Sequence, residues 1–176
     1  MGWVILGHVA APTSDMITFS SLSLTGYQRV ALVFDGITVG TDGAFLHLQL
    51  STSGTFYTAG YRYRIMARSS SGSDNNDASE SASFVRLIGG TISSWGIGNA
   101  AGKTGSGHVE LSHLTGSGPY PHVVYDGHAV APSGAAVRFL TGGHLEQTTA
   151  IDGVRLLMST GTMTAGWATL YGLKIT

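Results

Sequence analysis

The chain has 176 residues, no Cys, a formal net charge of −1 and only 11% charged residues, against about 25% in a typical soluble domain. Without Cys there is no disulfide, no thiolate metal site and no thiol nucleophile, although this does not fix a compartment. The near-zero charge argues against non-specific nucleic-acid binding, which needs a basic excess to neutralise phosphates, so no nucleic-acid partner is expected.

A chain this long is expected to form one domain, 1–176, burying roughly 70% of its unfolded surface. It opens on an apolar stretch that reads as a first strand over 3–8. That stretch lacks the basic flank and length of a secretion signal. No run is long enough for a membrane span, so no membrane partner is expected. Strands over 16–20 and 27–34 follow. In 44–51, Leu46, Leu48 and Leu50 share one face, and His47, Gln49 and Ser51 the other. In 61–68, Tyr61, Tyr63 and Ile65 oppose Arg62, Arg64 and Arg68. Such alternation predicts half-buried antiparallel strands. Further strands are expected over 83–88, 91–97, 108–112, 122–125 and 135–140. A closing pair after Val154 turns around Gly161 and Gly166 and runs to the last residue, which ties the C-terminus into a sheet.

No window keeps an apolar spacing of three and four residues, and 26 Gly interrupt almost every helical candidate. Gly after Thr25, Asp35, Asp42, Asp126 and Asp152 predicts turns, because Gly accepts the positive φ of tight reversals. Residues 69–81, 99–107 and 115–121 read as loops, the first polar and low in complexity. Ten to twelve short strands with turns between them predict an all-β antiparallel sandwich, of jelly-roll type by strand number.

Catalytic chemistry finds little in this pattern. The stretch from Gly98 to Thr104 evokes a phosphate loop, but Ile97 stands where the first Gly is needed and no helix can follow Gly105-Ser106-Gly107. Asp74, Asp77 and Glu80 offer oxygen ligands for a hard cation. The competing reading, a solvated loop bonding its own backbone, is preferred. The seven His include no His-x-His pair, and a turn at Asp126-Gly127 would separate His122 from His128. Scattered surface histidines are expected, apart from a cluster that a trimer axis could form. There is no Gly-x-Ser-x-Gly elbow, and Glu110 and Glu146 are the only acids outside turns and loops. No catalysis, no metal and no cofactor are expected.

Aromatic residues carry more signal. Trp95, Tyr120 and Tyr57 lie at loops or strand ends, where exposed rings stack on sugars or anchor protein interfaces. Tyr61 and Tyr63 read as core. The row of Arg62, Arg64 and Arg68 suits acids on a neighbouring subunit or an acidic polysaccharide, and equally an ordinary solvated face. A surface built of Ser, Thr, Gly and aromatics is poorly defended against association, which favours burial against other subunits.

The closing segment, with Arg155-Leu156-Leu157, Gly161, Gly166 and Thr169-Leu170-Tyr171-Gly172-Leu173, resembles the C-termini of small β-rich virion proteins of tailed bacteriophages. Two upstream stretches are similar to the same group: Ile17-Thr18-Phe19-Ser20-Ser21-Leu22 leading to Tyr27, and Leu46-His47-Leu48-Gln49-Leu50-Ser51. The resemblance implies a non-enzymatic part of the virion, made in the host cytoplasm: a capsid decoration protein, head spike or tail-tip module. Such proteins are jelly-roll-like and often trimeric. The implied partners are further copies of the chain, as a homotrimer, and other virion proteins such as the major capsid or tail proteins. Host surface glycan is the partner in the alternative reading, a receptor-binding module of the tail.

Overall fold

A computed structural model describes residues 2–11, 13–91, 93–116 and 118–174, with Ser93 described by its backbone alone. Thirteen strands run through the described residues: β1 Gly2–Ala10, β2 Met16–Phe19, β3 Tyr27–Val39, β4 Leu46–Thr52, β5 Thr55–Phe56, β6 Tyr61–Ser69, β7 Asp74–Ala82, β8 Val85–Ile88, β9 Gly105–Ser112, β10 His122–Val130, β11 Ala136–Leu145, β12 Gly153–Met158 and β13 Met163–Lys174. One 3-10 turn spans Ser93–Trp95. Eight strands form a large sheet in the order β1-β13-β3-β9-β10-β11-β6-β7. A five-stranded sheet runs β2-β12-β4-β5, with β8 also paired to β4. All named strand pairs are antiparallel, so the expected β-sandwich is the fold. A jelly roll places eight strands in two Greek keys; here thirteen strands divide eight and five.

Period-two patterning builds the core. Leu32 and Phe34 of β3, Val109 and Leu111 of β9, and Phe139 of β11 point inward from the large sheet. Leu46, Leu48, Leu50, Val154 and Leu156 meet them from the small one, and both sets belong to a single buried cluster. Each such side chain contributes roughly 1.5–3 kcal/mol by leaving water. Two buried tyrosines keep their hydroxyls bonded: Tyr61 Oη accepts from the Leu50 N–H at 2.8 Å, and Tyr125 Oη donates to the Ser106 carbonyl at 3.4 Å. Burial raises both phenol pKa values, so both stay protonated.

Several expectations are corrected. The polar segment 69–81 is not one long loop, because β7 occupies Asp74–Ala82 as an edge strand on β6. Its inner face meets a largely buried arginine, not the apolar core: Asp77 pairs with Arg86. An apolar alternation is therefore absent from its sequence. Asp126-Gly127 is no turn, since β10 runs straight through it. Gly127 is there because a Cβ would collide with the Tyr125 ring and the Ser106 carbonyl. Asp35-Gly36 is a bulge inside β3, not a reversal. The His47 face of β4 is buried too, covered by Phe84. Over 91–97 the expected strand is replaced by the 3-10 turn and a lone bridge from Ile97 to Ala44; Ile92 lies outside the described residues, as do Ile175 and Thr176 of the closing strand.

Candidate functional site on the large sheet

The outer face of the eight-stranded sheet carries most of the charge. Register places Val33, His108, Asp126 and Leu140 side by side on β3, β9, β10 and β11. The neighbouring row runs Trp167, Asp35, Ser106, His128 and Arg138. Between the two rows lies an open trough of about 560 Å³. Ser106 keeps its floor low, since a larger side chain there would fill it, while Gly107 makes room on the inner face for the buried Tyr125 ring.

The sequence shapes this trough through two bulges. Gly36 on β3 and Gly166 on β13 have φ of +64° and +109°, which L side chains rarely adopt. They face each other so closely that a Cβ on Gly166 would strike the Gly36 backbone. The pairing shifts register at both places. Bulges of this kind re-aim neighbouring side chains, here Asp35 and Trp167. Ser106 Oγ donates to Asp35 Oδ1 at 2.5 Å and accepts the Gly36 N–H at 3.1 Å, which fixes the bulge. Arg138 grips Asp126 with two bonds, Nε at 3.1 Å and Nη2 at 2.7 Å. That guanidinium holds the Asp126 carboxyl below its usual pKa, so it serves as an acceptor and not as a proton donor. Trp167 is half-buried and has His8 beside it, ring centroids 5.8 Å apart.

A second trough on the same face lies over Gly142, where a Cβ would meet nothing within 4 Å. Here Tyr120 stacks on His144, centroids 5.6 Å apart and planes at 9°. His122 lies 6.3 Å from His144 and 5.0 Å from His113. Three histidines thus cluster within one chain, contrary to the scattered distribution expected. They are no metal centre: among the described residues no group of three His, Cys, Asp or Glu is placed to hold an ion.

The residues singled out from the sequence fall in different places. Tyr120 is exposed. Trp95 and Tyr57 are half-buried and pack against the core, which leaves less of each ring for a ligand. Arg62, Arg64 and Arg68 do line the outer face of β6, but acids of the same chain occupy two of them. Arg62 pairs with Glu80 and Glu146, and Arg68 with Asp74. Arg64 has no ion-pair partner among the described residues. Asp74, Asp77 and Glu80 each engage an arginine, which leaves no oxygen cluster for a cation. Sequence reasoning passed over Trp167, Asp126 and Asp35. A Trp directly after Gly166 was the available signal for Trp167, masked by the apolar run of the closing strand.

The two edges of this sheet differ sharply. β7 presents Asp74, Asn76 and Glu80 outward. β1 contains no Lys, Arg, Asp or Glu, and leaves Trp3, Val4 and Ile5 at 52%, 45% and 63% exposure.

Comparison with protein families, with curated proteins and with solved structures finds no match for this chain.

Proposed function

We propose that the chain is a non-enzymatic structural protein of a tailed-bacteriophage virion, a capsid decoration or head-spike protein that assembles with copies of itself, as a homotrimer, and with capsid or tail proteins. The observation that carries self-association is β1. A long, uncharged, apolar edge strand is a template for pairing with another strand, and a protein that stays monomeric blunts such edges with charge, proline or a cover. This molecule blunts the β7 edge with Asp and Glu, whereas β1, which shifts register between Ile5 and Gly7, carries no charge and leaves Trp3, Val4 and Ile5 exposed. The low overall charge points the same way. The virion assignment itself rests on the resemblance of the closing segment, whose two strands β12 and β13 lie in different sheets, and of the stretches around Phe19 and Leu48. Light scattering on purified protein tests the assembly. An oligomer at micromolar concentration, reduced to monomer by Ile5→Lys, is expected; a wild-type monomer at all concentrations refutes it.

A second reading, a receptor-binding module for host surface glycan, is favoured by one specific observation: Trp167 shares a trough with the clamped Asp126–Arg138 pair.

A further inference from the structure

We infer that the trough between Trp167 and Arg138 is a binding site for a neutral saccharide, with the half-buried indole as its platform. This rests on the glycan-binding reading and assigns it a place and a ligand class. A sugar ring has an apolar C–H face and a rim of hydroxyls, so its site needs an aromatic surface beside planar polar groups that bond paired hydroxyls. Trp167 supplies the surface. The carboxylates of Asp126 and Asp35 accept from hydroxyls, and the remaining guanidinium N–H groups of Arg138 donate to them. His108 and His128 stand exposed on the strands between.

The groups are held before any ligand arrives. Arg138 fixes Asp126 with two bonds, Ser106 fixes Asp35 with one, and the glycine bulges set the position of Trp167. Fixed polar groups reduce the ordering cost that makes sugar binding weak. Charge selects the class. The trough holds two carboxylates, and its one guanidinium is already engaged by Asp126, so an anionic sugar meets net repulsion. This separates the trough from the one beside Arg64, where the unpaired guanidinium would favour acids. Because the trough is open, affinity for a monosaccharide is expected to be modest, with Kd on the order of 1 mM.

The experiment follows the three indole N–H resonances of the full chain, Trp3, Trp95 and Trp167, by nitrogen-edited NMR. Methyl glycosides of glucose, galactose, mannose, rhamnose and N-acetylglucosamine are titrated, with methyl glucuronide as the charged control. Saturable movement of the Trp167 signal with at least one neutral glycoside is expected, with weaker movement for glucuronide. Asp126→Asn is expected to weaken binding at least about ten-fold, and Trp167→Phe to keep part of what Trp167→Ala loses. Asp126 is solvent-exposed, so its variant reports binding even if Trp167→Ala fails to fold. Binding that leaves Trp167 unmoved and disappears in Tyr120→Ala overturns this site while keeping the glycan reading. Preference for glucuronide overturns the neutral class. No shift of any indole or backbone amide signal at tens of millimolar overturns both the site and the glycan reading.

Discussion

His47 shows how much one side chain can decide. Its ring lies flat on Phe84, centroids 3.6 Å apart and planes at 4°, and its Nε2 is buried without a hydrogen-bond partner among the described residues. Desolvation first, then the nearby Arg86 charge, drives its pKa from 6.5 down to about 3. The unfolded imidazole takes up a proton below pH 6.5, whereas the folded one stays neutral to about pH 3. Stability is therefore unaffected by this group above pH 6.5 and falls with acidification between those values, by up to about 1.4 kcal/mol per pH unit. Urea midpoints from pH 8 to pH 4 check this; His47→Phe is expected to flatten the dependence and to be tolerated at pH 8, because it keeps the stack and removes an orphaned nitrogen. Gly127→Ala tests the same scale. Its methyl would meet Tyr125 and the Ser106 carbonyl, and the expected loss is about 1–3 kcal/mol by urea denaturation. Neither effect was legible in the sequence. His47 reads as the polar half of an alternating strand until Phe84 is seen to cover it, and Asp126-Gly127 carries the turn chemistry that Gly127 does not use.

At the level of elements, the strands whose inner faces meet the apolar core were readable, and those whose inner faces meet something else were not. β4, β6 and β9 alternate visibly because one face packs on Leu, Val and Ile. β7 alternates in charge and register only, with Asp77 turned inward to a largely buried Arg86 that also donates to the Gly90 carbonyl and lies over Phe45. Its sequence has the composition of a loop, and only the partner residues reveal a strand. The candidate site was hidden for a related reason: Trp167, Asp35 and Asp126 sit on separate strands that only the sheet order brings together. The Arg86–Asp77 pair supplies the test at this scale. Both partners are largely buried, with side chains 16% and 19% exposed. Arg86→Met leaves Asp77 without its counter-charge and is expected to cost about 3–5 kcal/mol. The double variant with Asp77→Leu is expected to recover most of that loss in thermal unfolding.

For the whole molecule, the two sheets share one buried cluster, so heat is expected to unfold them together. Tyrosine fluorescence and far-ultraviolet circular dichroism should give the same midpoint; two separated transitions would contradict a single cooperative unit. The pairing is dominated by contacts distant in sequence, which makes folding slow. Refolding by stopped flow is expected in the millisecond-to-second range or slower, in keeping with all-β sandwiches.

The strand order also has a consequence for synthesis. β1 pairs with β13, joining Gly2 to Lys174, and β2 pairs with β12, joining Phe19 to Val154. Neither of the first two strands finds its neighbour until the last two have left the ribosome. At roughly 5–20 residues per second, the apolar stretch from Trp3 to Ile5 waits many seconds without its partner. During that interval an identical stretch on an adjacent nascent chain is the competing partner. Chains translated from one message would therefore be prone to tangle before they fold, and the yield of native protein should rise when initiation is sparse.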